Sequence, residues 1–552
     1  MKIPTRADSV EFLLDGDEFF ERFHQELTAV QHAATDEKSA SVRLAYWKAS
    51  PEMTLPALSE PVTAQRTLGE ALVAAAGAGA TVQVLLWDGW KGEVWAGTGA
   101  FKKLVKSAKV KSLVQAGKFE VVYHDYVGYI RHPTISLHVK IALFQSGRRS
   151  ILLLGGMNMG DDYKSSKKHD AANRWHDAGV ALSGPAVRAV QQYWTSLWKR
   201  EPPKQPKKPH EPKATVQIGK EKYRRPKVTI VTTDIQSDPP QRDIRRELVR
   251  RILAAKSYVY LENQALTDPA IIDALVATLA RGVQVFCVVP HPKQTMLGDY
   301  SGYAYVMNFA FRAMALAGFS RLSYPGAVRG THTLERKVVK RADLRYEGWF
   351  SSSHELILWE RGQGADEVAA VNRKALARTV RELEAGTHKG AKVFMNRGLH
   401  WTTKGGKTSW VYLSKIKTIE SRTFCMYAPL LAGTQGQSPY VHSKIALIDD
   451  KVAFVGSSNW TYRSMQYDGE ISALIENKLE VVDIRTELLK HWGVPNGDPA
   501  KWKSHVAKNA RELATGKAKS GQVYMVPLTL ADFGTTWKDL AAWGSWAAAD
   551  YI

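Results

Sequence analysis

Two short motifs carry the residues best suited to chemistry: His138 with Lys140 and, 304 residues further on, His442 with Lys444. Each His-x-Lys sits in an apolar run, LHVKIALF from Leu137 and VHSKIALI from Val441. In an extended strand the side chains at i and i+2 leave the same face, so each imidazole stands beside its ammonium. Such a polar pair in apolar surroundings is costly unless it meets a partner or a ligand. If the two copies converge, the natural occupant is an anionic phosphodiester. One imidazole can attack phosphorus while the other protonates the departing alcohol. The two ammoniums, with the amides of Asn158 and Asn459, can hold the non-bridging oxygens as charge redistributes. Nothing in this set asks for a metal or a cofactor. One His-x-Lys alone means little, and the plainer alternative for two is a duplicated fold whose histidines only satisfy core hydrogen bonds.

The elements around the motifs repeat, and a repeat is what lets two distant motifs meet. The runs ALVAAAGAGATVQVLLW (from Ala71) and ALVATLARGVQVFCVVP (from Ala274) each read as a helix end, a Gly-marked turn and a strand dense in Val and Leu. A strand-like run precedes each, VRLAYW from Val42 and SYVYLENQ from Ser257. Strand, helix, strand is a βαβ unit, whose parallel strands are buried on both faces and read as continuous apolar runs. Each His-x-Lys run then reads as two strands joined by a turn and closed by Gly-x-x-Asn, at Asn158 and Asn459. A helix follows each, PAVRAVQQYWTSLW after Gly184 and LEVVDIRTELLKHW after Lys478. Pro185 suits an opening helical turn, and Val187, Val190, Trp194 and Leu197 fall on one apolar stripe.

These patterns predict an α/β fold of two βαβ lobes related by a pseudo-twofold axis, with mixed, mostly parallel sheets flanked by helices. Residues 1–199 form the first lobe and 200–227 a basic, Pro-rich linker. Residues 228–495 form the second lobe and 496–552 a C-terminal extension containing Trp537, Trp543 and Trp546. Val84 and Val285 are 201 residues apart but the histidines 304, so the second lobe carries an insert of about 103 residues within 291–429.

At 552 residues the chain is long enough for two sizeable cores. A hydrophobic content of 44% with 10% aromatics excludes a disordered chain. The formal charge of +22 speaks to partners rather than fold: either nucleic acid or an anionic membrane surface. Two cysteines, Cys287 and Cys425, give neither a disulfide framework nor a zinc set. The first residues lack the apolar core of about 7–15 residues found in a cleavable leader. No run of about 18 apolar residues occurs, so the expectation is a cytoplasmic product without leader or transmembrane helix. The cluster WDGWKGEVW, with Trp87, Trp90 and Trp95, reads either as an interfacial loop or as packing at a strand end.

The doubled pattern resembles the phospholipase D superfamily, whose signature is His-x-Lys-x4-Asp in two copies with a trailing Gly-Gly/Ser-x-Asn. The likeness covers most of residues 10–200 and 228–495. The phrases GGMNMGDDY, RWHDAGVALSGPAV, YVYLENQ, VGSSNWTYRS and DGEISALI look like the bacterial cardiolipin-synthase and phospholipase branch. The resemblance implies that His138 is the nucleophile, forming a phosphohistidine. His442 is then general acid for the leaving group and later general base for water. It also implies an acid on each imidazole to fix its tautomer, the orienting logic of a triad. Asp177 and Glu470 stand at the matching positions, although as residues alone either reads equally as a surface or capping carboxylate. The second motif is complete with Asp449, whereas Gln145 stands where the first should have Asp. Asp449 opens a turn where its side chain would brace backbone N–H groups. It therefore reads as structural, and Gln145 is expected to leave activity intact.

By the same resemblance the substrate is a glycerophospholipid, cleaved to phosphatidic acid and a free headgroup at a phospholipid membrane surface, with transfer to another alcohol as a side reaction. The chain is expected to act as a monomer. It is also similar in class to type VI secretion lipase effectors, which implies export by a contact-dependent route, with secretion machinery and an immunity protein as partners. The alternative is a nuclease of the same superfamily acting on nucleic acid. The charge favours it, while two motifs in one chain speak against it.

Overall fold

The structure, a computed structural model, describes residues 2–36, 38–59, 65–88, 97–126, 135–169, 174–199, 226–237, 239–292, 301–325, 331–335, 343–348, 357–361, 398–402, 408–412, 416–433 and 438–533. Its first half contains β1 (Lys2–Arg6), β2 (Val10–Leu14), α1 (Asp15–Thr35), β3 (Ala40–Tyr46), α2 (Leu68–Gly77), β4 (Thr81–Trp87) and β5 (Phe119–His124). There follow β6 (Lys140–Ser146), β7 (Arg149–Gly155), β8 (Trp175–His176), β9 (Ala178–Ser183) and α3 (Pro185–Trp198). The second half contains β10 (Lys227–Asp234), α4 (Asp243–Ala254), β11 (Tyr258–Glu262), α5 (Pro269–Ala280), β12 (Gln284–Val288), β13 (Phe424–Leu431), β14 (Tyr440–Val441), β15 (Ile445–Ile448) and β16 (Val452–Gly456). It ends with β17 (Glu470–Glu476), α6 (Lys478–His491), α7 (Trp502–Ala514) and β18 (Val523–Pro527).

The duplication is visible in the strand orders. The first sheet runs β2-β9-β7-β6-β3-β4-β5 and the second runs β10-β17-β16-β15-β11-β12-β13. In both, the first four pairings are antiparallel and the last two parallel. The second sheet also takes on β1 and β18 at its two edges, so strands from both ends of the chain join it.

The sheets are mixed, as the sequence predicts, but mostly antiparallel rather than mostly parallel. Within each of these two sheets the parallel neighbours are strands joined by long crossover connections. The His-x-Lys strands turn directly back on themselves through tight turns, β6 to β7 and β15 to β16, and a hairpin is necessarily antiparallel. The continuous apolar runs that suggest parallel strands have another cause, because both faces of each sheet are covered. Ile141 and Leu143 of β6 point into a central core shared with Ile445 and Leu447 of β15. The alternate residues Ala142 and Phe144 face an outer core against α1 and α2, while Ala446 and Ile448 face one against α4 and α5. The two sheets thus pack over one another with helices outside, and α3 and α6 close the central layer through Val187, Val190, Trp194, Leu197, Val481, Ile484 and Leu488.

Local signals explain where the helices start. Thr67 and Glu70 form a capping box on α2, and Asp268 accepts the N–H groups of Ala270 and Ile271 at the start of α5. Pro185 and Pro269 occupy first-turn positions whose missing N–H costs nothing. Trp87 is buried and donates its indole N–H to Asp125 O at 3.3 Å, which makes it a packing residue. Trp90, Trp95, the linker except Pro226 and Lys227, most of the insert, and Trp537, Trp543 and Trp546 lie outside the described residues. Among the described residues no helix is long and apolar enough to cross a membrane.

Candidate active site

The two halves meet through the same short backbone contact made twice. Leu137 bridges Gly469 in parallel, and β8 pairs in parallel with β14, so that His176 lies opposite Val441. In each case the segment leading to a histidine of one half lies beside the segment leading to an acid of the other. His138 N–H donates to Gly469 O at 2.8 Å and His442 N–H donates to His176 O at 2.7 Å. The acids follow immediately after those carbonyls. His138 Nδ1 therefore meets Glu470 Oε1 at 2.8 Å, and His442 Nδ1 meets Asp177 Oδ2 at 2.6 Å. An ionised carboxylate can only accept, which puts the His442 proton on Nδ1, and that of His138 whenever Glu470 is ionised, leaving the Nε2 lone pair free.

The lysines complete the set. Lys140 Nζ donates to His138 O at 2.7 Å and Lys444 Nζ donates to His442 O. An ammonium carries three N–H groups, so each retains donors for an anion. All six side chains are buried. Burial and the nearby ammoniums, Lys444 among them, hold His138 well below the ordinary imidazole range. His442 is pushed down to about 3 by burial and by Lys444, against the pull of Asp177. Burial also lowers Lys140 to about 7 and Lys444 to about 8, with the carboxylates opposing it. Each lysine acts on the histidine of the opposite motif, as expected if both couples address one site. The acids differ. Burial pushes Glu470 up to about 7, whereas burial of Asp177 is outweighed by His442 and Lys444, which bring it below its ordinary value. The resting site thus holds neutral imidazoles beside two lysines whose N–H groups remain available to an incoming phosphate.

Residues 379–492 match the family model described as "Cardiolipin synthase, PLD-like domain". That segment, about a fifth of the chain, is similar to a phospholipase D-like domain. That match takes in His442, Lys444, Asp449, Asn459 and Glu470. Similar solved structures include polyphosphate kinase from Porphyromonas gingivalis, at 12% identity and a TM-score of 0.41 over 87% of this chain. The chain spans 50% of that kinase. Phosphatidylserine synthase from Haemophilus influenzae Rd KW20 aligns at 10% identity and a TM-score of 0.45, covering 93% of this chain and 96% of its own. NucT from Helicobacter pylori aligns at 13% identity and a TM-score of 0.22, covering 48% and 96%. No curated protein sequence matches.

In both halves the geometry shows what the small residues before each asparagine do. A Cβ on Gly156 would stand 2.2 Å from Asp177 Oδ1, so the second glycine of GGMN vacates the space that the short acid occupies. In the second copy Ser457 stands at the equivalent position, and its hydroxyl donates to Glu470 Oε2 at 2.5 Å. Ser464 Oγ donates to Glu470 Oε1 at 2.7 Å. The pattern Gly-Gly/Ser-x-Asn is thus matched to the acid it faces. Asn158 and Asn459 are both buried. Asn158 is held by Tyr163 and by Lys48 N–H, whereas Asn459 Oδ1 has no hydrogen-bond partner among the described residues.

Asp449 stands at the far end of β15 from Lys444. Its carboxylate accepts the backbone N–H groups of Lys256, Ser257 and Tyr258 at 2.7–3.0 Å, fixing the start of β11 beside the motif strand. Gln145 donates from Nε2 to Ser39 Oγ at 3.1 Å, beside the start of β3, the corresponding strand of the first half. Neither residue touches the imidazoles.

Several contacts were not legible in the motifs. Tyr163 and Trp175 lie against the His442 ring, with centroids 5.3 and 4.9 Å away, and Trp47 lies 5.9 Å from His138. Glu262, within the phrase YVYLENQ, is a buried hub. It accepts from His176 Nε2 at 2.9 Å, Ser443 Oγ at 2.7 Å, Trp492 Nε1 at 2.8 Å and the Tyr260 hydroxyl. Ser443 is the middle residue of the second His-x-Lys, so this hub anchors that motif from behind. A carboxylate inside an otherwise apolar strand was the available signal.

Proposed function

We propose that the chain is a phosphodiesterase of the phospholipase D type, working on glycerophospholipids through a phosphohistidine. The observation that carries the reading is the crossed pairing of His138 with Glu470 and His442 with Asp177, with two lysines beside them. His138 Nε2 attacks phosphorus, and His442 gives a proton to the departing alcohol. His442 then takes a proton from water, which attacks the phosphohistidine. Lys140, Lys444 and Asn459 hold the non-bridging oxygens, whose charge also raises the pKa of His442 and lets it carry the proton it delivers. No step calls for a metal at phosphorus.

The lipid substrate is supported by the cardiolipin-synthase description of the matched family. It is also supported by the partly exposed aromatics Trp47, Trp175 and Tyr440 near the imidazoles, and by a charge of +22 suited to an anionic membrane surface. That same charge favours the second reading, a nuclease. Incubation with phosphatidylethanolamine or phosphatidylglycerol vesicles, run beside supercoiled plasmid, separates them. The expected result is phosphatidic acid and free headgroup with intact plasmid, abolished in His138→Ala. Nicked plasmid without headgroup release would reverse the order, and neither product from a folded enzyme would remove the lipid reading. An antibacterial use after contact-dependent delivery extends the proposal. It requires that the chain placed in the periplasm of a target cell damage its membrane only when His138 is intact.

A further inference from the structure

Behind Asp177, on the side away from the imidazoles, lies a second buried cluster that the proposed reaction does not use: Asp15, His169, His176 and His491. Asp15 opens α1, His176 is in β8, His169 lies in the loop before it, and His491 ends α6 of the other half. We propose that these four residues form a structural zinc site that ties the two halves together beneath the reaction centre.

The spacing is that of a coordination shell. His169 Nε2 and His491 Nε2 are 3.0 Å apart, and Asp15 Oδ2 lies 3.8 and 3.7 Å from them. Zinc bonds of about 2.0–2.1 Å in a tetrahedron place neighbouring ligand atoms roughly 3.3 Å apart. One candidate ligand atom from each of the four residues fits within 4.8 Å of all the others. One of the atoms, Asp15 Oδ2, is buried without a hydrogen-bond partner among the described residues, whereas His176 Nδ1 faces Asp15 Oδ1 at 3.0 Å. An unpartnered carboxylate oxygen in a fully buried residue is expensive unless a cation meets it. Between His169 and His491 a single shared proton would sit where the ion replaces it.

The surrounding shell fits too. His176 donates Nε2–H to Glu262 at 2.9 Å, and His169 Nδ1 lies 3.2 Å from Ser165 Oγ. A metal-bound imidazole is characteristically held at its other nitrogen in this way, a carboxylate partner included. Three imidazoles and one carboxylate are a borderline-soft set that suits Zn2+ and not Ca2+ or Mg2+. The duplication does not generate the site. By strand register the second-half counterparts of Asp15 and His176 are Thr233 and Gly469, which offer no imidazole or carboxylate. The site touches the reaction centre through backbone. Asp15 N–H donates to Asp177 O at 2.9 Å, Asp177 N–H donates to Asp15 Oδ1 at 3.1 Å, and His176 O holds His442 N–H. An ion here would fix the carboxylate that orients His442.

The test is metal content of the full chain, which does not depend on turnover. Zinc is removed by dialysis against dipicolinate and restored by titration with ZnCl2, and elemental analysis is read beside the melting temperature. The expected result is close to one zinc per chain, a fall in Tm of roughly 5 °C or more on removal, and recovery on re-addition. Co2+ in its place should show the visible bands of tetrahedral coordination. His169→Gln and His491→Gln should each lose the zinc and the Tm response; if either fails to fold, the wild-type titration and cobalt spectrum still decide. A folded wild-type chain that neither retains nor rebinds zinc would overturn the proposal. So would folded variants that bind zinc as the wild type does, because the cluster would then be a hydrogen-bonded network only.

Discussion

Asp177→Asn is the most informative perturbation, because the structure dictates how the new amide must sit. Asp177 Oδ1 accepts Ala178 N–H at 2.8 Å, and a backbone N–H can only donate. The asparagine oxygen must stay there, and its NH2 group then faces His442 Nδ1 across 2.6 Å. Two donors cannot share that gap without leaving a buried group unsatisfied, a cost of about 1–3 kcal/mol. The imidazole therefore moves its proton to Nε2. In that tautomer His442 cannot take a proton from water, and it cannot become imidazolium without restoring the clash. An equivalent inversion in a hydrolase triad lowers kcat by roughly 10⁴, about 5.4 kcal/mol of transition-state stabilisation, and a loss of 10³–10⁴ is expected here. Glu470→Gln makes the contrast. Both oxygens of Glu470 are held by the hydroxyls of Ser457 and Ser464, which can reverse their direction, so glutamine can keep its oxygen on His138. Its loss should be only about tenfold. A p-nitrophenyl phosphodiester needs no proton on its leaving group. With it Asp177→Asn should release one equivalent of nitrophenolate in a burst and then stall, with the adduct on His138 visible by mass spectrometry. Equal losses in the two variants, or steady turnover without a burst in Asp177→Asn, would refute the assigned tautomers.

Other perturbations test separate parts of the site. Gly156→Ala puts a Cβ into the Asp177 carboxylate and should lower kcat by roughly 10²–10⁴, whereas retained activity in a pre-steady-state assay would show that the acid moves aside freely. With Lys140 lowered to about 7 and Lys444 to about 8, both are cations below those values and lose charge as pH rises, so kcat/KM should fall from about pH 7 and more steeply above about pH 8. His138, held low, should add no acid limb near neutrality, and a profile flat to pH 10 would contradict the assignment. Asp449→Ala removes the acceptor of three backbone N–H groups and should cost about 1–3 kcal/mol in denaturant unfolding, with kcat per folded molecule changed less than about twofold.

The duplicated frame was legible because a βαβ unit and a hairpin each leave local marks: a Gly-punctuated helix end, a short turn, a run of Val and Leu. The direction of the strands was less so. Covered on both faces, β6 and β15 lose the alternation that usually identifies antiparallel strands, and their composition imitates a parallel sheet. The motif residues were found by recurrence, whereas Asp177 and Glu470 came only from the family resemblance. Their partners were not found, because the contacts between residue 137 and residue 469 and between residues 176 and 441 are tertiary. The imidazole of His169 is more elusive still. Its cluster draws on positions 15, 169, 176 and 491, with none of the short cysteine or histidine spacings by which a metal set is usually recognised in sequence.

The exchange of acids between the halves has a mechanical consequence. Each imidazole takes its orientation from a carboxylate in the other half, and each acid reaches it through a backbone pairing that exists only when the halves are docked. Neither half alone contains a complete couple, so reactivity is conditional on the interface. That interface is built from the inner faces of both sheets, with Ile141, Leu143, Ile445 and Leu447 at its centre. A small rotation of one sheet over the other would leave both cores intact while pulling Nδ1 away from its acceptor at two places simultaneously. Substitutions in the central core should therefore cost activity out of proportion to stability, and those in the outer cores against α1 or α5 should do the reverse.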